Sequence, residues 1–473
     1  MTLTITDLFC GAGGSSQGAH EVDGVQVVMA ANHWSLAIDT HQANYPDVGH
    51  DCADISQVDP RRYPRSSILW ASPECTNHSV AKGVKRAQPT LWDKPDPAAE
   101  RSRATMWDVV RFAEHHRYES IIVENVVDAA RWELWSAWLS AMTSLGYEHR
   151  TVFLNSMHAP TQKAPRAPQS RDRLYIVFWR KGNKAPNVEP RPLAWCEQCS
   201  TDVQAMQVFK RTERWGRYRS QYVYRCPTPR CHIVVEPYVS PASAAIDWSL
   251  AGERIGERAV PLKPATMRRI QTGLAKFATM PQLVPAGGTW NLSTSPIDEP
   301  MRARTTRETE GLLVPVEGRD GKEARLTSAP IRTQTTRNET ALVVPYYRTG
   351  TAQLSNRPLP TMTTHDRVGL AFVAELRGGG STARHVSEPL ATVTASGNHH
   401  MLVRDVIEPP RPAPTVEDCT FRMLTPSEIQ NAMAFGDSYK LLGTKREKVK
   451  LLGNAVTPPA AEFLIRAVRD SLA

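Results

Sequence analysis

The chain has 473 residues, 41% of them hydrophobic, and its 57 basic and 48 acidic residues give a net charge of +9 and a pI of about 9.2. That is globular material for two or three domains, with a positive balance suited to a polyanion. No run approaches the roughly 18 apolar residues of a membrane span, and residues 1–9 lack the basic region of a signal peptide, so a cytoplasmic setting is expected, with the eight cysteines as reduced thiols, metal ligands or nucleophiles.

Residues 3–6 alternate apolar and β-branched side chains and read as a strand closed by Asp7-Leu8-Phe9. Cys10-Gly11-Ala12-Gly13-Gly14 then leads into a helix. Glycines directly after a strand let the backbone turn sharply and approach a ligand, and the helix amino terminus offers free N–H groups. The same glycines would also serve a turn with no ligand. A second strand, residues 25–31, ends at Asn32-His33-Trp34, and a third segment ends at Ala53-Asp54-Ile55. In a doubly wound sheet these strand ends line one crevice, where Trp34 can stack on a flat ring and Asp54 can accept from an exocyclic amine, a pattern that suits adenosine.

The apolar run 67–71 predicts a buried strand stopped by Pro73, with Glu74 and Cys75 next. Cys75 thus falls at the carboxyl end of a strand, where an open α/β sheet presents its chemistry. It is a candidate nucleophile, although a lone cysteine is also a common small core residue. Helical material over 97–116 leads to a strand at 120–126 that carries Glu124. Gln169-Ser170-Arg171-Asp172-Arg173 precedes a strand over 174–179, and period-two spacing puts Gln169, Arg171 and Arg173 on one face if that strand begins early.

The middle of the chain has two parts. Cys196-Glu197-Gln198-Cys199 and, after 26 residues, Cys226-Pro227-Thr228-Pro229-Arg230-Cys231 offer four soft ligands for a tetrahedral Zn²⁺ in a ribbon-like setting, with His232 as a substitute ligand and four free thiols as the alternative. Between the pairs, Arg211, Arg214, Trp215, Arg217, Tyr218, Arg219, Tyr222, Tyr224 and Arg225 interleave cations and aromatics, which suits phosphate contact or a solvated hairpin face. Segments 300–314, 330–344, 358–372 and 389–403 then repeat one pattern every 28 to 31 residues, each a polar turn followed by an apolar strand. They read as a stacked recognition module or a purely structural extension. Residues 262–280 look helical and link the two parts; Thr425-Pro426-Ser427-Glu428 starts a capped helix, and residues 459–472 form a closing one after Gly453-Asn454-Ala455-Val456-Thr457-Pro458.

In this order, the glycine loop, the strand-end Pro-Glu-Cys, Glu-Asn-Val, Gln-x-Arg-x-Arg and the Gly-Asn-Ala-Val-Thr-Pro stretch resemble the cytosine-C5 DNA methyltransferases, over roughly residues 1–180 and 420–473. The resemblance implies an α/β fold: a Rossmann-like S-adenosylmethionine-dependent domain over 1–185, a mostly β target-recognition domain over 186–420, into which the zinc-ribbon-like part at 193–236 and the four β repeats at about 294–403 read above both fall, and a return to the catalytic domain over 421–473. It implies that Cys75 adds to C6 of a flipped-out cytosine, that Glu124 stabilises the adduct at N3, and that Arg171 and Arg173 hold the base carbonyl and lower the thiol pKa. It assigns Phe9, Gly11, Gly13, Trp34, Asp54, Pro73, Asn454 and Val456 to S-adenosylmethionine. Double-stranded DNA is the implied partner of a monomer, bacterial or phage-encoded, in a restriction-modification setting.

The sequence departs from the family pattern in two places. His33 stands where an acidic residue usually binds the ribose hydroxyls, and Glu74 and Thr76 flank the cysteine in place of the usual Pro-Cys-Gln. A carboxylate beside a thiol raises its pKa unless it points away or pairs with a cation. Rival readings are methylation of an exocyclic amino group, for which Glu74-Cys75 lacks the required stacking ring, RNA cytosine methylation, and an idle DNA-binding relic.

Overall fold

The computed structural model describes residues 2–74, 97–277, 282–285, 294–302, 310–315, 371–375, 383–384, 400–404 and 416–473. Cys75 and the second repeat, 330–344, lie outside the described residues.

The first half builds one seven-stranded sheet. In chain order come β1 (Leu3–Leu8), α1 (Gly14–His20), β2 (Val25–Asn32), α2 (Ser35–Asn44), β3 (Gly49–Cys52), β4 (Ile68–Ala71), α3 (Pro97–His116), β5 (Ser120–Asn125), α4 (Trp135–Ser144), β6 (Tyr147–Asn155), β7 (Gln169–Ser170) and β8 (Asp172–Arg180). The spatial order is β3-β2-β1-β4-β5-β8-β6. All neighbours run parallel from β3 to β5, whereas β8 runs antiparallel to both β5 and β6. Strand order therefore reverses between β1 and β4, and a doubly wound sheet opens its ligand crevice at such a switch point.

The central strands are apolar on both faces because both are covered. Leu69, Ala71, Ile121, Val123, Leu174, Ile176 and Phe178 pack on one side with α3 and α4. Alternate residues Ile68, Trp70, Ile122, Tyr175 and Val177 pack on the other, against the C-terminal helix.

Beyond the sheet lie β9 (Leu193–Cys196), β10 (Thr201–Gln204), β11 (Met206–Phe209) and β12 (Tyr222–Arg225), which form two antiparallel pairs, β9 with β10 and β11 with β12. Next come β13 (Glu253–Arg254), α5 (Pro264–Phe277), β14 (Gln282–Pro285), β15 (Ser295–Pro296), β16 (Met301–Arg302) and β17 (Glu310–Pro315). After them stand β18 (Ala371–Glu375), β19 (Ala383–Arg384), β20 (His400–Arg404) and β21 (Cys419–Met423). The chain closes with α6 (Pro426–Ala432), α7 (Lys445–Asn454) and α8 (Pro458–Leu472). Thr425 and Glu428 satisfy each other's backbone N–H groups at the start of α6, the capping box expected from that sequence.

By packing, the chain divides into Met1–Val316 with Pro414–Ala473, and Glu317–Ala413. The cysteine-rich lobe thus packs in the same unit as the seven-stranded sheet. The repeats split as well: β17, which ends the first, pairs with β14 and β21, whereas β18 and β20, from the third and fourth, pair with each other. A shared sequence pattern specifies a strand but not its neighbour.

Candidate active site

The ends of β1 to β5 converge on the crevice. After β1, Phe9 and Gly13 adopt left-handed backbone, at φ 60 and 78. For phenylalanine that conformation is costly, by about 1 kcal/mol or more, and such strain gathers at ligand sites. Inside the turn, Asp7 is fully buried and accepts from the Ser15 and Ser16 hydroxyls at 2.6 and 2.7 Å. Burial pushes its carboxyl up to about 6 against the lowering effect of those bonds, and its Oδ1 has no protein partner. A Cβ on Gly11 would meet only two backbone carbonyl oxygens, at 3.8 and 4.0 Å, so the space before the loop is open. An open cradle with an orphaned buried acceptor fits a ligand that carries a donor or a cation.

Trp34 follows β2 with its ring half-exposed, and Lys450 Nζ lies 4.3 Å from the ring centroid. Asp54 caps the turn Ile55–Gln57 by accepting from the Ser56 N–H at 3.1 Å and is exposed. The two unusual residues meet: His33 Nδ1 lies 3.6 Å from Glu74 Oε1. Since β1 separates β2 from β4, this pair spans the end of β1, above the glycine loop. Pro73 is buried, and its carbonyl lies 3.4 Å from the Asn125 side-chain amide.

Partly buried Arg173 pairs with buried Glu124, with Nε and Oε1 3.0 Å apart. The register explains it. Antiparallel pairing sets Glu124 against Tyr175 and Asn125 against Leu174, which brings the start of β8 to the carboxyl end of β5. Burial raises the Glu124 carboxyl above its ordinary range, opposed by the two arginines and a hydrogen bond from Ser72. A carboxyl so placed holds a proton more readily and can offer it to a ring nitrogen.

Arg171 has a different setting. It falls in the break between β7 and β8, where its N–H donates to Asn155 Oδ1 at 2.9 Å. Its guanidinium donates to the carbonyls of Gly453 and Ala455, both at 3.0 Å. Those carbonyls flank Asn454, so Arg171 fixes the returning loop. The single face expected for Gln169, Arg171 and Arg173 is interrupted because the strand does not continue through Arg171. Asn454 itself is exposed, and Val456 is buried against Gly14.

In the lobe, the sulfurs of Cys196, Cys199, Cys226 and Cys231 all lie within 4.8 Å of one another. The Cys196–Cys231 and Cys199–Cys226 pairs are 3.5 and 3.8 Å apart. Zn–S bonds of about 2.3 Å at tetrahedral angles put sulfurs about 3.8 Å apart. The donor set therefore fits zinc. Tyr218, Tyr222 and Tyr224 do not face outward as a phosphate platform; they are buried in the core shared with the sheet. Period two explains this: Tyr222 and Tyr224 share the inner face of β12. Arg211 and Arg214 remain exposed.

Sequence reasoning passed over Asp7, Asp128 and Asp172. Asp172 stands between the two arginines and accepts from the Tyr218 N–H at 3.0 Å. Its only signal was a carboxylate inside an otherwise basic motif.

The profile of the C-5 cytosine-specific DNA methylases matches residues 3–214 and 320–470. The chain belongs to this family. Over 194 residues it is 28% identical to the type II methyltransferase M.SsoII of Shigella sonnei, covering 40% of this chain and 46% of that protein. Over 177 residues it is 30% identical to the type II methylase M.HgiEI of Herpetosiphon aurantiacus, covering 36% of each. The matched stretch thus spans less than half the length of either relative. Among solved structures, S. pombe Dnmt2 aligns over 100% of this chain and 99% of its own, with 13% identity and a TM-score of 0.48. In this family member no described helix is long and apolar enough to cross a membrane.

Proposed function

We propose that the chain is a DNA cytosine-C5 methyltransferase that uses S-adenosylmethionine and a covalent cysteine adduct. The observation that carries this reading is the pairing of buried Glu124 with partly buried Arg173 beside the strand end that leads into Cys75. The C5 of cytosine is a poor nucleophile. The Cys75 thiolate adds to C6 and shifts the ring's electron pair toward N3, where Glu124 supplies a proton or a strong hydrogen bond, and C5 gains enamine character. S-adenosylmethionine held in the crevice would supply an electrophilic methyl group, whose bond to sulfur would break as C5 bonds to the carbon. Loss of the C5 proton to a solvent water or hydroxide, expulsion of the Cys75 thiolate and return of the N3 proton to Glu124 then restore the ring. Arg173 orients the Glu124 carboxyl and reaches toward the base carbonyl, while Arg171 acts through the Asn454 loop.

The cofactor would lie between the Phe9-to-Gly13 turn, Trp34, Asp54, Pro73 and the Asn454-to-Val456 return, with the His33–Glu74 pair at the ribose hydroxyls. Zinc would fold the cysteine lobe. The protein would act as a cytoplasmic monomer on duplex DNA, with the base flipped out of the stack, in a restriction-modification setting of bacterial or phage origin.

The test is to incubate the protein and labelled S-adenosylmethionine with duplex DNA containing 5-fluorocytosine, beside Cys75→Ala. A denaturation-resistant adduct, absent in the variant, is expected. Methylation of ordinary DNA that survives Cys75→Ala would sink the mechanism.

A further inference from the structure

The residues between the cysteine pairs grip the catalytic strands. Trp215 Nε1 donates to the Val127 carbonyl at 3.2 Å, and the Arg131 guanidinium sits 3.4 Å from the Trp215 ring centroid. Arg217 pairs with Asp128 at 2.7 Å. The Tyr218 N–H donates to Asp172 at 3.0 Å, and Gln207 donates to the Phe153 carbonyl at 2.7 Å. Each partner has a meaningful position. The turn Val127–Arg131 comes directly after the strand that carries Glu124, and Asp172 directly precedes Arg173.

The lobe that makes these contacts packs Tyr218, Tyr222 and Tyr224 into the core it shares with the sheet, but its regular elements are short. Its four strands have four residues each. β9 ends on Cys196, and β12 runs directly into Cys226. Elements so short need a further tie to stay ordered, and a thiolate-bound metal provides one. The lobe touches two backbone carbonyls, the Asp172 carboxylate, the Arg131 guanidinium and, through one half-buried ion pair, Asp128; Glu124 and Arg173 themselves stay free of these contacts, so the lobe positions their neighbours.

We infer that metal capture by Cys196, Cys199, Cys226 and Cys231 sets the positions of Glu124 and Arg173 through Trp215, Arg217 and Tyr218, making the lobe a metal-dependent clamp on the base-handling half of the crevice. This rests on the reading in which Glu124 and Arg173 act on the base and the four thiolates hold zinc. Trp215, Arg217 and Tyr218 are positioning residues. Arg211 and Arg214 stay on the outer surface, so clamp and DNA contact use different side chains.

The test uses the full chain, zinc-loaded and then stripped with a thiol-directed mercurial, excess thiol and chelator, with zinc counted by elemental analysis. Three quantities are read: hydrogen exchange over residues 120–131 and 169–176, calorimetric affinity for S-adenosylhomocysteine, and kcat with KM. Stripping is expected to speed exchange at residues 126–131 about tenfold or more and to lower kcat about 10- to 100-fold, the scale of a misplaced catalytic group. Affinity for S-adenosylhomocysteine should stay within about twofold, because the glycine loop and the ends of β2 and β3 lie on the far side of β4. Arg217→Glu should lower kcat in the same way, and adding Asp128→Arg should recover most of the loss by restoring the pair in reverse.

Unchanged exchange at 126–131 on stripping would overturn the clamp. So would a double variant no better than Arg217→Glu alone, or stripping that abolishes S-adenosylhomocysteine binding together with turnover, since that marks general unfolding. If the zinc-loaded protein transfers no methyl group but exchange at 126–131 still responds to zinc, the clamp stands and the methyltransferase reading fails.

Discussion

The two halves of the crevice, the proposed cofactor side and the proposed base side, are closed by different means. On the cofactor side the C-terminal return comes in backbone to backbone: a Cβ on Gly14 would stand 1.9 Å from the Val456 carbonyl oxygen. On the base side the cover is made by side chains, with Trp215 on Val127 and Arg217 on Asp128. A backbone contact admits no added atom and does not depend on charge. A side-chain clasp can be loosened by charge, metal or pH without breaking the sheet beneath it. The cofactor half is therefore built to be fixed, and the base half to be adjustable.

The strongest way to separate the halves is Glu124→Gln. It should lower turnover by about a thousandfold, the scale of losing one group that stabilises charge in the transition state, while leaving S-adenosylhomocysteine affinity unchanged in calorimetry. If both fall together, the halves are not independent.

Gly14→Ala should act the opposite way. The added methyl collides with a backbone carbonyl that cannot move aside, and overpacking of that kind costs about 3 kcal/mol. Thermal unfolding should shift down, and S-adenosylhomocysteine binding should weaken along with it. A variant that melts like the parent would mean that the C-terminal return is not held where the structure has it.

Glu74→Gln should weaken S-adenosylhomocysteine binding by about tenfold, the value of one charge-assisted hydrogen bond. A 2′,3′-dideoxy analogue should lose nothing further in the variant. An additional loss there would remove Glu74 from the ribose.

The smallest effect concerns His158, which packs edge-on against Tyr218 and Tyr224 of the lobe. Burial, with Arg219 and Arg166 nearby, pushes its pKa down to about 3. The folded protein thus keeps this ring neutral where the unfolded chain protonates it. The stability it contributes is complete above pH 6.5 and falls as pH drops from there toward 3, by at most about 1.4 kcal/mol per pH unit. The raised carboxyls of Asp7, Glu124 and Asp172 act in the opposite sense, so the measurement is a difference. Between pH 6.5 and 5.5 the wild type should lose about 1 kcal/mol relative to His158→Phe in denaturant titrations. Parallel curves would show that the lobe interface does not sense this proton.

Much of the site could be read from the chain. Each of β1, β2, β4 and β5 follows from a short apolar run, and a doubly wound sheet brings the residues after such runs to one edge. Phe9, Trp34, Asp54, Pro73 and Glu124 are therefore placed by local sequence and general topology together. Arg171 and Arg173 show where that reasoning stops. Period two treats them as equivalent, but a break of one residue sends Arg171 to the Asn454 loop and leaves Arg173 on Glu124.

Local sequence specifies the order of motifs, the strand ends proposed to carry the chemistry and the four cysteines in two pairs, because each depends on neighbours within a few residues. Which partners those residues meet follows from long-range packing. His33 finds Glu74 across β1, the inner tyrosines of β12 enter the catalytic core, and a lobe that reads as a DNA-facing ribbon grips the turn after Glu124. The physical reason is the same in all three cases. A side chain's charge and shape are local properties, whereas its partner is set by strand pairing and layer packing between residues far apart in the chain.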